Sequence, residues 1–435
     1  MRGFQNVMKI PELRKKIFYT FLLIAIYRVG GHITVPGIDT AALQDAFSGS
    51  GGLMGMYDLF VGGALRRASI FALGIMPYIS SSIIIQLLTS VVPYFERLKK
   101  EGEAGRQKMT EITRYGTVAL AFIQGLGISQ YLIGLNGRIP GNVVPNPGIG
   151  FTAQTVLTLI TGTIFVMWLG ERITERGIGN GISLIIFAGI VGRLPGAIQS
   201  LIRDVFVLQQ TSLINAIFML AFMFAVVAFV VLMTEAQRRI PVTYAKQVRG
   251  RKVYGGQSTH IPLRLNTAGV IPVIFAQAFM MFPSSVAMFF PNSGIDEWVR
   301  SFLTPGSALY MVIYAGLIIL FAYVYTAITF NPQDLADNMK KYGGFIPGRK
   351  PGKSTAKYIE RVLVRVTLPG AIFLAGIAVM PMIISSQTGM NFAFGGTSLL
   401  IVVGVALETL RQIETHLMMR HYDGFLAKGR IRGRR

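Results

Sequence analysis

The strongest constraint on the fold is a set of apolar blocks about 20 residues long. Residues 212–233, SLINAIFMLAFMFAVVAFVVLM, contain no charged side chain, and about 20 apolar residues are enough for a helix to cross a bilayer. Charged residues make up only 14% of the chain, whereas about 25% is usual in soluble proteins. Transmembrane β-strands alternate polar and apolar residues, and these blocks do not. We therefore predict an all-α polytopic membrane protein.

Ten blocks of this kind are predicted to span the membrane, and an even number of spans places both termini on the same side. The predicted spans are residues 17–36, 71–92, 115–135, 153–171, 182–200, 213–234, 267–290, 308–330, 364–385 and 397–416. The segments on the side of the termini contain 33 of the 42 lysines and arginines, whereas those on the opposite side contain 5. Because such an excess marks the cytoplasmic side, we expect both termini in the cytoplasm.

The ten spans divide into two sets of five. Because five is odd, two homologous halves would lie in opposite orientations, as in transporters built from inverted repeats. We predict an N-terminal half at residues 17–206 and a C-terminal half at residues 207–416. An amphipathic, basic N-terminus at residues 1–16, in which we recognise no removable signal peptide, and a basic tail at residues 417–435 flank them.

Two predicted cytoplasmic loops, residues 235–266 and 331–363, are longer and more patterned than membrane topology requires. Both combine basic residues with glycines and aromatic residues. One interpretation is that they only orient the protein and attract anionic lipids. We favour the other interpretation, in which they form a docking surface for a cytosolic partner whose face is acidic, or for ribosomal RNA.

Residues 58–70, DLFVGGALRRASI, precede the second span on the predicted extracytoplasmic side. The segment is too short to cross the membrane, and Arg66 and Arg67 argue against exposure to lipid. Gly62 and Gly63 would allow the segment to fold back into an aqueous cavity of the protein. An amphipathic helix on the outer membrane surface explains the same residues equally well, so these residues alone leave both interpretations open.

Residues for catalysis or metal binding do not cluster in the sequence. The chain has no cysteine, which excludes disulfides, thiolate nucleophiles and cysteine-ligated metals. No phosphate-binding loop is recognisable, so we predict no enzyme, no catalytic residue, no metal site and no cofactor. One functional class open to a chain of this kind is a secondary transporter of a small solute. Such a transporter needs carboxylates or histidines at mid-membrane, and the spans hold almost none.

Six long stretches occur in order along nearly the whole chain. They are GGALRRASIFALGIMPYISSSIIIQLL, YFERLKKEGEAGRQKMTEITRYGT, GERITERGIGNGISLIIFAGIV, YGGQSTHIPLRLNTAGVIPVIFA, FNPQDLADNMKKYGGFIPGRKPG and FGGTSLLIVVG. Together they resemble the SecY family, the central subunits of the bacterial protein-translocation channel. The resemblance implies two inverted five-helix halves around an hourglass-shaped pore. It also implies a passive channel through which unfolded polypeptides cross the bacterial cytoplasmic membrane, driven by a motor ATPase or the ribosome.

The resemblance further implies a plug and an apolar constriction. The plug would consist of Phe60, Val61, Gly62, Gly63, Ala64, Leu65, Arg66, Arg67, Ala68 and Ser69. The constriction would be a ring of six isoleucines, Ile75, Ile79, Ile182, Ile186, Ile274 and Ile401. Isoleucine cannot hydrogen-bond ions or water, so a narrow ring of isoleucines dewets and blocks leakage. The same side chains can move apart and close around a passing chain.

The resemblance also implies a lateral gate and a set of partners. In the family, the gate toward lipid lies between the second and third helices and the seventh and eighth. Polar groups on those helices that could hold it closed by weak interhelical hydrogen bonds are Ser80, Gln86, Gln124 and Gln277. The docking residues would be Arg251, Lys252, Arg349 and Lys350. The last is usually arginine in the family, and lysine lacks the bidentate fork of arginine. The implied partners are the small membrane subunits SecE and SecG, the SecA motor ATPase, the ribosome with its RNA and proteins, signal peptides, nascent polypeptides and membrane lipids.

Overall fold

The computed structural model describes most of the chain and divides it into two compact units. The described residues are 10–48, 58, 61–136, 142–207, 212–244, 247–249, 252–254, 258–287, 289, 294–304, 306–388 and 396–428. The first unit comprises Met1–Ser212, Ala278–Pro305 and Ile401–Arg435, and the second comprises Leu213–Gln277 and Gly306–Leu400.

Helices dominate both units. In chain order they are α1 (Pro11–Gly30), α2 (Thr40–Ser48), α3 (Met76–Val91), α4 (Pro93–Lys100), α5 (Glu103–Leu135), α6 (Ile149–Arg176), α7 (Gly181–Val191), α8 (Leu194–Phe206), α9 (Leu213–Glu235), α10 (Ile271–Ala287), α11 (Gly294–Phe302), α12 (Ala308–Thr329), α13 (Pro332–Lys341), α14 (Lys353–Thr388) and α15 (Gly396–Lys428). The strands are β1 (Gln237–Tyr244), β2 (Gln247–Arg249), β3 (Lys252–Tyr254), β4 (Ser258–Arg264) and β5 (Gly344–Phe345).

Each of the ten predicted spans coincides with a helix, and the fifth coincides with the consecutive helices α7 and α8. Among the described residues, seven helical stretches are long and apolar enough to cross a membrane, with α7 and α8 counted as one, or eight if α3 and α4, which meet at 96°, form one span. Helix α1 falls short because it begins within the basic N-terminal segment, and α10 has only 17 residues. The predicted all-α polytopic fold is confirmed.

Prolines determine where the second spanning helix begins and ends. Pro77 lies in the first turn of α3, where its missing N–H would have no partner in any case. Residues 61–75 form turns, so this helix begins at Met76 and not at the predicted residue 71. The helix ends at Val91 because Pro93 pushes Val92 into extended backbone, with φ −101° and ψ 118°. The non-helical run before α3 is therefore longer than predicted.

The second unit carries a small antiparallel sheet beside its helices. The strand order is β4-β1-β5, and buried and exposed residues alternate along the second half of β1, as expected for a sheet with one solvated face. Ile240 and Val242 of β1 pack in an apolar cluster with Met339 of α13 and Ile359 of α14. The two predicted docking loops therefore share one folded core.

Candidate functional site

The predicted plug is a run of turns joined to the segment that follows α1. Val35 N donates to Ala68 O at 2.7 Å, and Ile70 N donates to Ile33 O at 2.9 Å. Phe60, the first residue of the predicted plug, lies outside the described residues. From Val61 onward the segment is not helical, so the alternative of an amphipathic surface helix is wrong for its described part.

The apolar side chains of this segment are buried in the first unit. The buried members are Val61, Ala64, Leu65 and Ala68, and Ser69 is also buried. Leu65 is 4% exposed and belongs to an apolar cluster that includes Leu43, Leu73 and Leu132. Arg66 is exposed. The segment thus presents its apolar side chains to the core of the unit and the Arg66 guanidinium to water.

Two glycines in the segment have backbone conformations that other residues rarely adopt. Gly62 has φ +72° and Gly63 has φ +85°, in the left-handed region that costs glycine least. A Cβ at Gly62 would also lie 2.9 Å from the Cα of Gly189 in α7. Glycine at residue 62 is therefore needed both for the turn and for close approach to α7.

Helices α1 and α6 hold the two ends of the segment. The Tyr27 hydroxyl donates to Val61 O at 3.4 Å, and the Tyr27 ring stacks on Phe71 with 5.9 Å between ring centroids. On α6, a Cβ at Gly162 would overlap the carbonyl oxygen of Ile70. Close packing at both ends leaves little room for movement of the segment while α1 and α6 stay in place.

A buried carboxylate anchors the segment to the start of α8. Asp58 is 3% exposed, and its Oδ2 lies 3.3 Å from Arg193 Nη1. Asp58 Oδ1 accepts a hydrogen bond from the backbone N–H of Arg66 at 3.0 Å. Sequence reasoning missed this pair. The one indication of this pair in the sequence was the position of Arg193 inside a predicted span, because an arginine within the membrane needs a partner.

A second polar contact joins the segment to the end of α1. Arg67 Nη1 lies 2.7 Å from His32 Nε2, and His32 Nδ1 lies 2.8 Å from the backbone oxygen of Arg28. The four histidines, at residues 32, 260, 416 and 421, show no ligand spacing, so nothing in the sequence pointed to His32.

Five of the six predicted pore isoleucines belong to the first unit. Ile75 immediately precedes α3, and Ile79 N donates to Ile75 O at 3.1 Å, which preserves the expected i, i+4 relation. Ile75 and Ile79 are each 4% exposed, Ile186 is 2% exposed and Ile401 is fully buried. These four side chains are therefore shielded from solvent.

The remaining two isoleucines differ from these four. Ile182 in the first turn of α7 is only half-buried, and its Cγ1 lies 3.3 Å from the position of a Cβ on Gly170 of α6. Asn180 caps α7 by accepting hydrogen bonds from the backbone N–H groups of Ile182 and Ser183. Ile274 belongs to the second unit, where it is 5% exposed in the first turn of α10.

The predicted gate residues have different surroundings. Ser80 is half-buried on α3, and Gln86 Nε2 donates to Ser82 Oγ at 3.1 Å within the same helix. On α5, Gln124 Oε1 is buried and has no hydrogen-bond partner among the described residues. In the second unit, Gln277 is 1% exposed.

The hydrogen bond that joins α3 to α5 comes from a residue that the sequence did not single out. Ser81 Oγ donates to Thr113 O at 2.8 Å. A Cβ at Gly116 of α5 would overlap Ser81 Oγ, so this glycine is what allows the two helices to approach.

The predicted docking residues are only partly described. Arg251 lies outside the described residues, and of Lys252 only the backbone, in β3, is described. Arg349 and Lys350 are exposed. The Arg349 guanidinium lies over the Tyr358 ring at 5.1 Å, and Lys350 O accepts from Thr355 Oγ1 at 2.9 Å. The backbone from which the exposed Lys350 side chain projects is thus held in place by a hydrogen bond.

An ion pair and a hydrogen bond elsewhere in the first unit join segments that are distant in the sequence. Arg114 of α5 makes a two-pronged contact with Glu171 of α6, with Nε to Oε1 at 3.0 Å and Nη2 to Oε2 at 2.7 Å. In the turn before α7, Gly179 N donates to Gln412 Oε1 at 2.8 Å. Within the described part of the chain, no group of three or more histidine, cysteine or acidic residues could hold a metal ion.

The comparisons with known proteins cover nearly the whole chain. The SecY family profile matches residues 69–410. The protein translocase subunit SecY of Streptomyces galbus is 48% identical over 98% of this chain and 100% of its own length. The corresponding proteins of Escherichia coli K12 and Thermotoga maritima are 47% and 44% identical, and cover 98% and 100% of this chain and 96% and 100% of their own lengths.

Solved structures share the fold at lower identity. A protein-conducting channel superimposes with a TM-score of 0.65 at 18% identity, over 92% of this chain and 91% of that chain. A SecY structure whose plug domain is described as stabilising the closed state of the translocation channel has a TM-score of 0.64 at 18% identity, over the same shares. Sec61 in the canine ribosome-channel complex has a TM-score of 0.62 at 17% identity, again over 92% and 91%.

Proposed function

The chain belongs to the SecY family of protein translocase subunits, and we propose that it forms a passive protein-conducting channel in the bacterial cytoplasmic membrane. The observation that carries the proposal is the glycine-containing segment from Val61 to Ser69, which packs by its apolar side chains into the core of the first unit. A transporter of small solutes would instead need titratable groups clustered at mid-membrane. The relatives named as translocase subunits support the same function.

We infer that residues 60–69 act as the plug and that the six isoleucines form the constriction. The segment is held by its buried aliphatic side chains and by polar contacts with α1 and the start of α8. We infer that it leaves as a unit when an entering polypeptide moves these helices apart. An apolar ring excludes water and ions without binding them. Translocated chains of any sequence can then pass, because no side chain in the ring demands a specific partner.

We further propose that both termini and the basic loops face the cytoplasm, where the partners are. Solved relatives include a ribosome-channel complex, and the exposed, basic loop around Lys350 suits an acidic protein face or ribosomal RNA. We expect the SecA motor ATPase and the ribosome at these loops, SecE and SecG within the membrane, and signal peptides, nascent polypeptides and lipids at the pore and gate.

Reconstitution into proteoliposomes tests the function and the docking residues together. With the small subunits and motor ATPase present, a secretory substrate should become protected from added protease. Lys350→Glu should slow this translocation on the order of tenfold, because reversing a charge in a docking surface weakens the encounter. The matched control is Arg106→Glu, another exposed basic side chain, which should leave the rate unchanged.

Three outcomes would contradict the proposals. Equal slowing by both substitutions would contradict docking at Lys350. Uptake of a small solute by the chain alone, without protein translocation, would favour the transporter. Protease added outside the vesicles tests the orientation. It should cleave the loop at residues 235–266 only in molecules whose cytoplasmic side faces outward, which are the molecules that the added motor can use. Cleavage of this loop only in the molecules that the motor cannot use would contradict the proposed orientation.

We also propose that Ser80, Gln86, Gln124 and Gln277 belong to the lateral gate, with different weights. Because Gln124 Oε1 has no described partner, its amide is available for a bond across the gate. Gln124→Leu should therefore allow less hydrophobic signal segments to insert. For a segment of borderline hydrophobicity, the ratio of inserted to translocated chains should rise about threefold. Gln154→Leu is the control, since Gln154 is exposed on α6, which is not one of the proposed gate helices. Equal insertion in both variants and the unaltered protein would contradict a role for Gln124.

A further inference from the structure

We propose that His32 is a positioning residue that latches the plug to α1, and that it does so only in its neutral form protonated on Nδ1. The proposal rests on the assignment of residues 60–69 as the plug. It concerns the histidine at the end of α1 and the arginine it contacts, Arg67.

The two contacts of the imidazole determine its protonation. A backbone carbonyl can only accept a hydrogen bond, so His32 Nδ1, which lies 2.8 Å from Arg28 O, carries a proton. A guanidinium can only donate, so His32 Nε2, which lies 2.7 Å from Arg67 Nη1, is the acceptor and carries none. Only the neutral tautomer protonated on Nδ1 satisfies both partners.

Protonation of Nε2 breaks the latch in two ways. The imidazolium has no lone pair left for Arg67, so the hydrogen bond is lost. The new cation also lies directly beside the Arg67 guanidinium, whose like charge repels it. The contact therefore exists only while His32 Nε2 carries no proton.

The surrounding groups do not replace the lost contact. Asp58 and Arg193 pair with each other, and Asp39 accepts from the backbone of Ala41 at the start of α2. The other charged or titratable side chains in the last turn of α1 and in the plug are Tyr27, Arg28 and Arg66. The first spanning helix ends at Gly30 and not at the predicted residue 36, so His32 lies beyond its end and is exposed. Under the proposed topology, protons from the extracytoplasmic solution therefore reach it directly.

Planar-bilayer conductance of the complete translocase at controlled pH on each side tests the latch. Histidine changes charge between about pH 5 and pH 8. Lowering the extracytoplasmic pH from about 8 to about 5.5 should raise the resting ion conductance about fivefold, the size expected for one solvated hydrogen bond. The same change on the cytoplasmic side should have no effect.

Three variants separate the latch from a general pH effect. His32→Gln keeps an acceptor for Arg67 that does not titrate, so its conductance should stay low and independent of pH. His32→Leu and Arg67→Leu should have raised conductance at both pH values. If His32→Gln showed the same pH dependence as the unaltered protein, the latch proposal would fail.

Deletion of residues 60–69 distinguishes failure of the latch from failure of the plug assignment. The deletion variant should conduct at both pH values without pH dependence. If it conducts while His32→Gln still responds to pH, the plug stands and the latch is overturned. If the deletion does not change conductance, the plug assignment itself is overturned, whatever the pH response of the unaltered channel.

Discussion

Deleting residues 60–69 is expected to raise the resting ion conductance of the channel by an order of magnitude or more. The segment buries Val61, Ala64 and Leu65 in the first unit, and burial of a single leucine side chain contributes about 1.5–3 kcal/mol. About 1.4 kcal/mol changes the equilibrium between the seated and the displaced segment tenfold. Because the deletion removes all these contacts together with the segment itself, nothing then plugs the pore. Single-channel recording in planar bilayers measures the effect.

Two substitutions test the same assignment without removing chain. Leu65→Asp places a carboxylate among apolar neighbours and should raise conductance nearly as much as the deletion. Gly162→Ala adds a methyl group where the carbonyl oxygen of Ile70 already lies, so the end of the plug must shift and conductance should rise. Gly150→Ala in the same helix meets no atom within 4 Å and should behave like the unaltered protein. Unchanged conductance in the deletion and in Leu65→Asp would refute the plug.

The large-scale architecture could be predicted because it depends on averages over many residues. Uncharged blocks about 20 residues long identify spans whatever their detailed packing, and all ten predicted blocks coincide with helices. The i, i+4 spacing of Ile75 and Ile79 was likewise visible, and it persists although Ile75 lies just before the helix. Patterns of this kind need no knowledge of which helices are neighbours.

The contacts that hold the plug could not be predicted, because each depends on residues far apart in the chain. Asp58 and Arg193 meet only once α8 packs near the segment. The start of α3 was misplaced for a related reason. Residues 71–75 are apolar enough for a helix, but they are held in turns that continue the plug, where Phe71 stacks on Tyr27. Tertiary packing thus overrode the local apolar pattern.

The isoleucine ring can be tested by an all-or-none experiment, because the chain contains no cysteine and each introduced thiol is unique. Cysteine at Ile79 should form a disulfide with a cysteine-bearing substrate stalled in the channel. Cysteine at Ile84 on the same helix should not, since Ile84 is 48% exposed on the outside of the unit, where lipid is the expected solvent. Gel mobility under non-reducing conditions measures crosslinking.

The complementary labelling experiment asks which solvent each side chain meets. A thiol reagent dissolved in the lipid phase should modify cysteine at Ile84 and spare cysteine at Ile79, Ile186 and Ile401, which are at most 4% exposed in the first unit. Half-buried Ile182 is the member for which labelling is most informative. If its cysteine reacts from the lipid phase and never crosslinks to the substrate, the ring loses that residue while the others can still form the seal. If cysteine at Ile79 and Ile186 also reacts from lipid, no apolar ring lines the path of the substrate.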